Sequence, residues 1–159
     1  MTTRENLSLV EYLWLDGAEP TQKLRSKTKI VHLTHQNPTV TDISPWSFDG
    51  SSTNQATGDD SDCNLQPVFL CPDPLRKGNN WLALCEVLNP DLSPHKTNRR
   101  AQLRNTMSNL GTQHKPYIGF EQEYTFLEKN SPLGWPKEGF PAPQGPYYCG
   151  VGAGKVFGR

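Results

Sequence analysis

The first ninety residues contain short apolar runs that alternate with polar positions, the pattern of β-strands. Residues 9–17, LVEYLWLDG, place leucines on one face and valine, tyrosine and tryptophan on the other, and Asp-Gly ends the run. Residues 24–33, LRSKTKIVHL, alternate with basic side chains, and residues 81–88, WLALCEVL, form a more continuous apolar run. Alternation predicts strands, and a short apolar run predicts a buried strand. We therefore expect a small mixed sheet with long polar connections.

The pattern changes after residues 89–98, NPDLSPHKTN, whose two prolines and few apolar residues predict a linker. Apolar side chains then recur at the i, i+4 and i+7 spacing of an amphipathic helix, at Leu103, Met107 and Leu110. Thr97 or Asn98 is the expected N-cap of this helix, and Gly111 is its expected end.

A second alternating segment covers residues 117–129, YIGFEQEYTFLEK. It predicts a strand with aromatic residues on one face and Glu121 and Glu123 on the other. Residues i and i+2 of a strand have Cα atoms about 6.5–7 Å apart, so the two carboxylates could reach adjacent hard cations such as magnesium or manganese. A solvated strand face explains the same spacing, and the spacing alone favours that simpler interpretation.

A polar segment, residues 46–65, contains Asp-Gly-Ser-Ser followed by GDDSD. Asp and Ser side chains cap turns, and glycine adopts backbone angles that other residues avoid, so a simple turn and a solvated loop account for it. The last part of the chain is rich in glycine, proline and aromatic residues, as in GFPAPQGPYYCGVGAG at 139–154. By themselves these two segments do not define a function.

Composition limits the possible functions. At 159 residues and 17.8 kDa the chain can form one core, or one small domain and part of another. Sixteen basic and sixteen acidic residues give no argument for nucleic acid or an acidic membrane. Hydrophobic content of 34% with 13 Gly and 14 Pro is typical of a loop-rich protein that completes its structure against a partner or another segment. No apolar run suits a membrane span or a signal peptide, which predicts a cytoplasmic protein.

The cysteines and histidines, which often bind metals or form disulfides, do not have the spacing that these roles require. The cysteines lack a Cys-x-x-Cys pair and are interpreted as ordinary small residues; they are Cys63, Cys71, Cys85 and Cys149. The histidines lack metal-binding spacing; they are His32, His35, His95 and His114. The tryptophans are interpreted as packing residues; they are Trp14, Trp46, Trp81 and Trp135. KTNRRAQLR at 96–104 is interpreted as a solvated helix face, with phosphate binding as the alternative.

Taken together, the motifs resemble glutamine synthetase of the class II, eukaryotic-like branch. The similar segments are, in order, EYLWLDG, LRSKTK, WSFDGSST with the following SD and Leu, DPLRKGNNWLALCEV, GFEQEYTF and GWPKEGFPAPQGPYYCGVGA. The resemblance covers nearly all of residues 9–159. It implies an α+β fold, with a β-grasp-like N-terminal domain at 1–90. Residues 91–159 would then be the incomplete beginning of a glutamine synthetase-type α/β catalytic domain.

The resemblance also implies an activity, the ATP-dependent ligation of ammonia to L-glutamate through γ-glutamyl phosphate. Glu121 and Glu123 match glutamates that each bind a different divalent ion, Mg²⁺ or Mn²⁺, and Glu121 thereby belongs to the ATP site. Tyr117 occupies a position near the nucleotide where relatives often carry tryptophan, which implies contact with adenine. Such a site fits phosphoryl transfer, because that reaction depends on positioning and on cations that neutralise developing charge.

A second set of residues matches the ammonia pocket of the family. Asp49 matches the aspartate that binds ammonium and favours its deprotonation, and that reaches the site from a neighbouring subunit. Ser52 and Tyr148 match residues of the same pocket, although a tyrosine packed beneath a Gly-Pro loop would explain Tyr148 equally. The implied partners are glutamate, ammonia, ATP and further copies in a homo-oligomeric ring with active sites between adjacent subunits; neither nucleic acid nor a membrane is implied.

The resemblance reaches only the N-terminal portion of a family whose members are more than twice this length. The remaining metal ligands, the substrate loop and the phosphate-binding arginines have no counterpart in the chain, so we expect it to be inactive by itself. Three hypotheses follow: an N-terminal fragment of a working enzyme, a natural non-catalytic module that assembles with or inhibits a full-length enzyme, and a decayed remnant.

Overall fold

The computed structural model describes residues 7–34 and 36–140, which form two compact units, one through Lys115 and one from Pro116 onward. The first unit contains a five-stranded sheet in the order β2-β1-β5-β4-β3. Its strands are β1 (Leu7–Leu15), β2 (Leu24–His32), β3 (Trp46–Asp49), β4 (Asp62–Pro72) and β5 (Trp81–Leu88). β1 and β5 are parallel and the other neighbours are antiparallel. The three strands expected at 9–17, 24–33 and 81–88 and the mixed sheet are confirmed.

One face of the sheet carries the core, as the alternation in β1 requires. Val10 and Tyr12 are completely buried and Trp14 is 5% exposed. The neighbouring strands add Cys63, Leu65, Ala83, Cys85 and Val87. Burial of apolar area of this kind is the main force that stabilises a small domain.

The sheet is strongly curled. β1 and β3 are separated by two strands, and strands in a flat sheet lie about 4.8 Å apart. The rings of Trp14 on β1 and Phe48 on β3 nevertheless have centroids 4.9 Å apart, and those of Tyr12 and Trp46 lie 5.3 Å apart. The curl therefore brings side chains of β3 into contact with side chains of β1. Three tryptophans pack in or against the core, as expected, whereas Trp135 is half-exposed.

Two strands of the five-stranded sheet, β3 and β4, were absent from the sequence-based prediction. β4 contains Pro67, and its register with β5 shifts between Pro67 and Phe69. Proline interrupts the hydrogen-bond ladder and is found at such irregularities, so the strand lacks clean alternation. β3 has only four residues and leads directly into the Asp-Gly-Ser-Ser turn. Interpreting residues 46–65 as turn and loop alone was therefore incomplete.

Residues 89–98 fold back onto the sheet instead of forming a free linker. The His95 amide donates to the Val87 carbonyl oxygen at 3.1 Å, and the Asn98 side chain donates to the same carbonyl oxygen at 3.1 Å. The compact unit continues to Lys115. A domain boundary at residue 90 remains a prediction.

The predicted helix is present but extends past Gly111. α1 (Arg99–Thr106) begins at Asn98, whose side chain accepts a hydrogen bond from the Ala101 amide at 3.0 Å, so the N-cap is confirmed. A π-helical turn (Met107–Gly111) and a short α-helix, α2 (Thr112–His114), continue it. Gly111 has right-handed angles, and the left-handed residue is Lys115. The helix ends at Lys115 because Pro116 follows it, and a residue that precedes a proline disfavours right-handed helical angles.

Two arginines of this helix are held by Glu86 of β5. Glu86 is 2% exposed, and its carboxylate accepts from Arg100 at 2.6 Å and from Arg104 at 2.7 Å. Burial acts to raise the pKa of Glu86, but the arginine and Asn98 hydrogen bonds outweigh it and the net pKa is lowered. The helix face at 96–104 is thus partly an ion-pairing face and not simply a solvated one.

The strand predicted at 117–129 is wrong for most of its length. Within residues 116–140, only Leu127–Glu128, β6, is paired as a strand, and its partner is Ser131–Pro132, β7. None of the described residues pairs with residues 117–126, and a strand needs a neighbour for its backbone hydrogen bonds. Alternation specifies which side chains share a face, but it does not supply a partner strand.

Candidate active-site loop and carboxylate pair

The Asp-Gly-Ser-Ser motif forms a tight turn at the end of β3. After Asp49 the chain enters a single 3-10 turn, Gly50–Thr53. The Asp49 Oδ1 atom accepts hydrogen bonds from the Ser51 amide at 2.9 Å and the Ser51 hydroxyl at 2.6 Å. The Ser52 hydroxyl donates to the Asp49 carbonyl oxygen at 3.0 Å. The predicted turn is confirmed, and it brings Asp49 and Ser52, two of the proposed ammonia-pocket residues, together.

Asp49 presents an ionised carboxylate to solvent. The Ser51 hydroxyl first, and then the Ser51 amide, stabilise the charged form and hold the pKa of Asp49 below its ordinary value. Asp49 is exposed, and it faces Asp62 in the pairing of β3 with β4. An exposed carboxylate beside a second one attracts small cations. The turn is therefore suited to attract a cation such as ammonium.

The Asp49 loop, residues 49–56, is fixed from below by backbone contacts. The Gly50 amide donates to the Ser61 carbonyl oxygen at 2.7 Å, and the Gly50 carbonyl oxygen accepts from the Gln55 amide at 2.8 Å. A Cβ on Gly50 would lie 2.7 Å from the Cys63 sulfur. Gly50 is thus required because the turn packs directly against β4.

Gly17, in the turn after β1, holds the other side of the Asp49 loop. Its amide donates to the Thr53 carbonyl oxygen at 2.8 Å, and a Cβ at Gly17 would overlap the Asn54 carbonyl oxygen. The Asp-Gly end of β1 and the Asp-Gly-Ser-Ser turn are therefore in direct backbone contact.

The basic positions of β2 support the loop from the side. Lys27 Nζ lies 3.5 Å from the centroid of the Trp46 ring and donates to the Ser47 carbonyl oxygen at 2.9 Å. Burial, and then the nearby charge of Lys29, lower the pKa of Lys27. Cation–π contacts and charge-assisted hydrogen bonds of this kind restrain the strand that leads into the turn. The alternate basic residues seen in the sequence thus have a structural use.

Sequence reasoning missed two buried polar residues behind the Asp49 loop. Gln55 and His95 are 4% and 6% exposed, and His95 Nε2 lies 2.6 Å from the Gln55 carbonyl oxygen. Both lie in polar or proline-containing segments, where side chains are usually solvated. The one available signal was the proximity of Gln55 to the Asp-Gly-Ser-Ser motif, because buried polar groups often brace functional loops.

The carboxylate pair lies in the second unit, on irregular backbone. Glu121 and Glu123 are both exposed and belong to no strand. Their oxygen atoms have the right chemistry for Mg²⁺ or Mn²⁺. Among residues 7–34 and 36–140, however, no group of three or more metal-binding side chains is placed to hold an ion. The pair can supply part of a metal shell, and the described residues do not complete it.

Of the remaining predicted site residues, Tyr117 lies within the described part of the chain and Tyr148 does not. Tyr117 is fully exposed, so its contact with adenine stays a prediction. Tyr148 and Cys149 lie outside the described residues. Cys63 and Cys85 are buried free thiols, and burial raises the pKa of Cys85 to about 12, which makes it unreactive.

The first unit is a curled mixed sheet with a turn at the end of β3, and this turn presents the ionised Asp49 carboxylate. Such a sheet is a β-grasp domain. The family model for the glutamine synthetase beta-Grasp domain matches residues 6–90. The chain belongs to the glutamine synthetase family. This confirms the resemblance and the β-grasp fold expected for the N-terminal part.

Individual relatives agree with the family assignment. A glutamine synthetase of Streptomyces viridochromogenes is 59% identical over 149 residues, which are 94% of this chain and 43% of the relative. One of Streptomyces hygroscopicus is 55% identical over 150 residues, 94% of this chain and 42% of the relative. One of Tuber borchii is 52% identical over 152 residues, 95% and 41% respectively. The chain spans about two fifths of the length of these curated relatives.

Proposed function

We propose that this chain serves glutamine synthesis, the ATP-dependent ligation of ammonia to L-glutamate through γ-glutamyl phosphate, by supplying the Asp49 loop. The supporting observation is the exposed Asp49 carboxylate, held ionised by Ser51 on a turn that is fixed to the sheet. Ammonium binds such a carboxylate by charge attraction and can transfer a proton to it. The ammonia nitrogen then attacks the acyl carbon of γ-glutamyl phosphate, and the bond from that carbon to the phosphate oxygen breaks.

The proposal assigns Glu121 and Glu123 as ligands of Mg²⁺ or Mn²⁺ at the ATP site. The ions would neutralise charge on the transferred phosphoryl group. Among the described residues these two exposed carboxylates give only part of a first shell, and we propose that further ligands come from elsewhere in the assembly. We accordingly propose that the 159-residue chain does not complete the reaction alone, and that it acts in a ring whose active sites lie between subunits.

A second proposal is a non-catalytic module that joins or inhibits a full-length glutamine synthetase. Large apolar side chains exposed in the second unit favour it, since such surface usually requires a partner. These side chains include Tyr117, Ile118 and Phe120. In this case the chain would co-purify with a longer ligase and alter its rate.

The experiment that separates the two proposals is the intact mass of the native product, measured under denaturing conditions from its own cells. A mass well above 17.8 kDa, the mass of this chain, supports the ligase proposal. A mass of 17.8 kDa combined with ligase activity of the purified chain would contradict the proposal that this chain does not complete the reaction alone. A mass of 17.8 kDa with a longer ligase bound to it supports the module.

A matched pair of variants tests the role of Asp49 in the active assembly. Asp49→Asn should lower kcat about 100-fold or more, because general acid–base groups typically contribute 10²–10⁴. Asp91→Asn is the control, since Asp91 accepts the same two hydrogen bonds from Ser93, at 2.9 and 2.6 Å. Equal activity of the two variants in the ammonia-dependent assay would disprove the assignment of Asp49.

A further inference from the structure

His95 is buried between β5 and α1, directly behind the Asp49 loop. Its Nε2 atom lies 2.6 Å from the Gln55 carbonyl oxygen, and its Nδ1 atom lies 2.8 Å from the Thr97 hydroxyl. A carbonyl oxygen can only accept, so Nε2 must carry the hydrogen. Nδ1 also accepts from the Thr97 amide at 3.2 Å. The surroundings of the ring therefore select one tautomer.

Gln55 connects His95 to the rest of the loop. Its side-chain amide donates to the Leu15 carbonyl oxygen at 3.1 Å and to the Thr97 hydroxyl at 2.9 Å. Its side-chain oxygen accepts from the Thr53 hydroxyl at 2.8 Å. Each polar atom of the side chain thus has a partner, and the partners lie at the end of β1, in the turn and in segment 89–98. In a buried network of this kind the loss of one member is costly, because the groups left behind cannot reach water.

We propose that His95 is a positioning residue, which holds the Asp49 loop through Gln55 in the conformation that presents the Asp49 carboxylate. The connection is short. The His95 ring donates to the backbone carbonyl oxygen of Gln55, and the backbone N–H of Gln55 donates to the carbonyl oxygen of Gly50, which follows Asp49 in the chain. His95 is buried, so it acts on Asp49 through the loop and not on a substrate. The catalytic meaning of this role rests on the proposed function, but the restraint itself does not.

The first test measures the His95 tautomer in the 159-residue chain. Nitrogen-15 NMR of the histidine rings at pH 8, where an ordinary histidine is neutral, should show the hydrogen of His95 on Nε2. A ring with its hydrogen on Nδ1 would overturn the proposal, because that tautomer cannot donate to Gln55.

The second test compares variants by amide hydrogen exchange. His95→Leu removes the donor, whereas His95→Gln retains an N–H group at a similar distance from the backbone. Exchange at the Gln55 and Ala56 amides should rise about 10- to 100-fold in His95→Leu, the equivalent of one buried hydrogen bond, and stay near wild type in His95→Gln. His32→Leu, at an exposed position on β2, is the matched control and should leave the exchange rates of both amides unchanged.

A titration of the Asp49 carboxylate by carbon-13 NMR separates positioning from general support of the fold. His95→Leu should move the pKa of Asp49 upward toward its ordinary value, and His95→Gln should restore the wild-type titration. Uniformly faster exchange across the sheet with an unchanged Asp49 titration would overturn the proposal. If the leucine variant does not fold, His95→Asn, which is too short to reach Gln55, takes its place with the same expected result. Neither measurement requires catalysis, so a failure of the ligase proposal would appear separately, as full activity of Asp49→Asn.

Discussion

Two turns of the first unit use the same local chemistry in different surroundings. At Asp49 and at Asp91 a carboxylate oxygen accepts from the amide and the hydroxyl of the serine two residues later, with distances of 2.9 and 2.6 Å in both turns. In both cases the serine hydroxyl first, and then its amide, lower the pKa of the aspartate. The hydrogen bonds within such a turn are therefore the main cause of the lowered pKa of its aspartate.

The surroundings of the two turns differ. The middle residue of the first is Gly50, which is buried against β4, whereas the middle residue of the second is Leu92, which is 66% exposed with a left-handed φ of 66°. The first turn is braced by Gln55 and His95 from behind. The comparison indicates that the serine hydrogen bonds lower the pKa of each aspartate, while buried contacts outside the first turn hold the geometry in which those hydrogen bonds form.

The largest expected effect is on the buried network of Gln55 and His95. Gln55→Leu should destabilise the first unit by about 3 kcal/mol, because it leaves several buried donors and acceptors without hydrogen-bond partners at once. Urea unfolding followed by fluorescence would measure the change. Gln66→Leu is the control, because the Gln66 side chain is half-buried and its bond to the Pro67 carbonyl oxygen is a local one. Equal losses in the two variants would mean that the network behind the Asp49 loop is not special.

The next effect concerns the middle residues of the two turns. Gly50→Ala should cost about 2 kcal/mol, since the added methyl group would lie 2.7 Å from the Cys63 sulfur and the packing cannot relax freely. Leu92→Gly should instead raise the free energy of unfolding by up to about 1 kcal/mol, because glycine adopts the left-handed conformation without strain. Thermal unfolding of both variants would show the opposite signs. A destabilised Leu92→Gly variant would contradict the comparison.

The smallest effect is on the aspartate titrations. Ser51→Ala should raise the pKa of Asp49, and Ser93→Ala should raise that of Asp91 by a similar amount. A lowered pKa in the folded state gives stability that is present above the unfolded pKa of about 4 and is lost as the pH falls through the folded pKa. The difference in the free energy of unfolding between each variant and the wild type should therefore appear above about pH 4 and vanish in more acidic solution. Carbon-13 titration would measure the two aspartate pKa values, and unequal shifts would show that the surroundings of the turns also affect them.

The sequence could predict those parts of the molecule in which local pattern decides the structure. Residues 81–88 were assigned correctly because a short apolar run that is buried in the sheet has few alternatives. β4 was missed because Pro67 hides its alternation. Residues 117–129 have the alternation of a strand, but pairing is a property of two segments and cannot be recognised from one.

In the candidate site, too, the residues in a local motif were predictable and those that depend on distant contacts were not. Asp49 and Ser52 were found through a motif that is local in the chain. His95 and Gln55 are 40 residues apart, and their contact exists only because residues 89–98 fold back onto the sheet. Burial of a polar side chain depends on such distant contacts, which composition and spacing do not record.

The parallel pairing of β1 with β5 has a consequence for the order of events during synthesis. Val10 is paired with Trp81, so closing the sheet joins residues about seventy positions apart. Loop closure over that distance cannot occur until β5 has been made. On the ribosome, β1 and β2 can form a hairpin early, but the rings of Tyr12 and Trp14 have no complete core to enter. The nascent chain must therefore carry exposed aromatic surface until its ninetieth residue or so has emerged, which is the stage at which a chaperone would be expected to bind it.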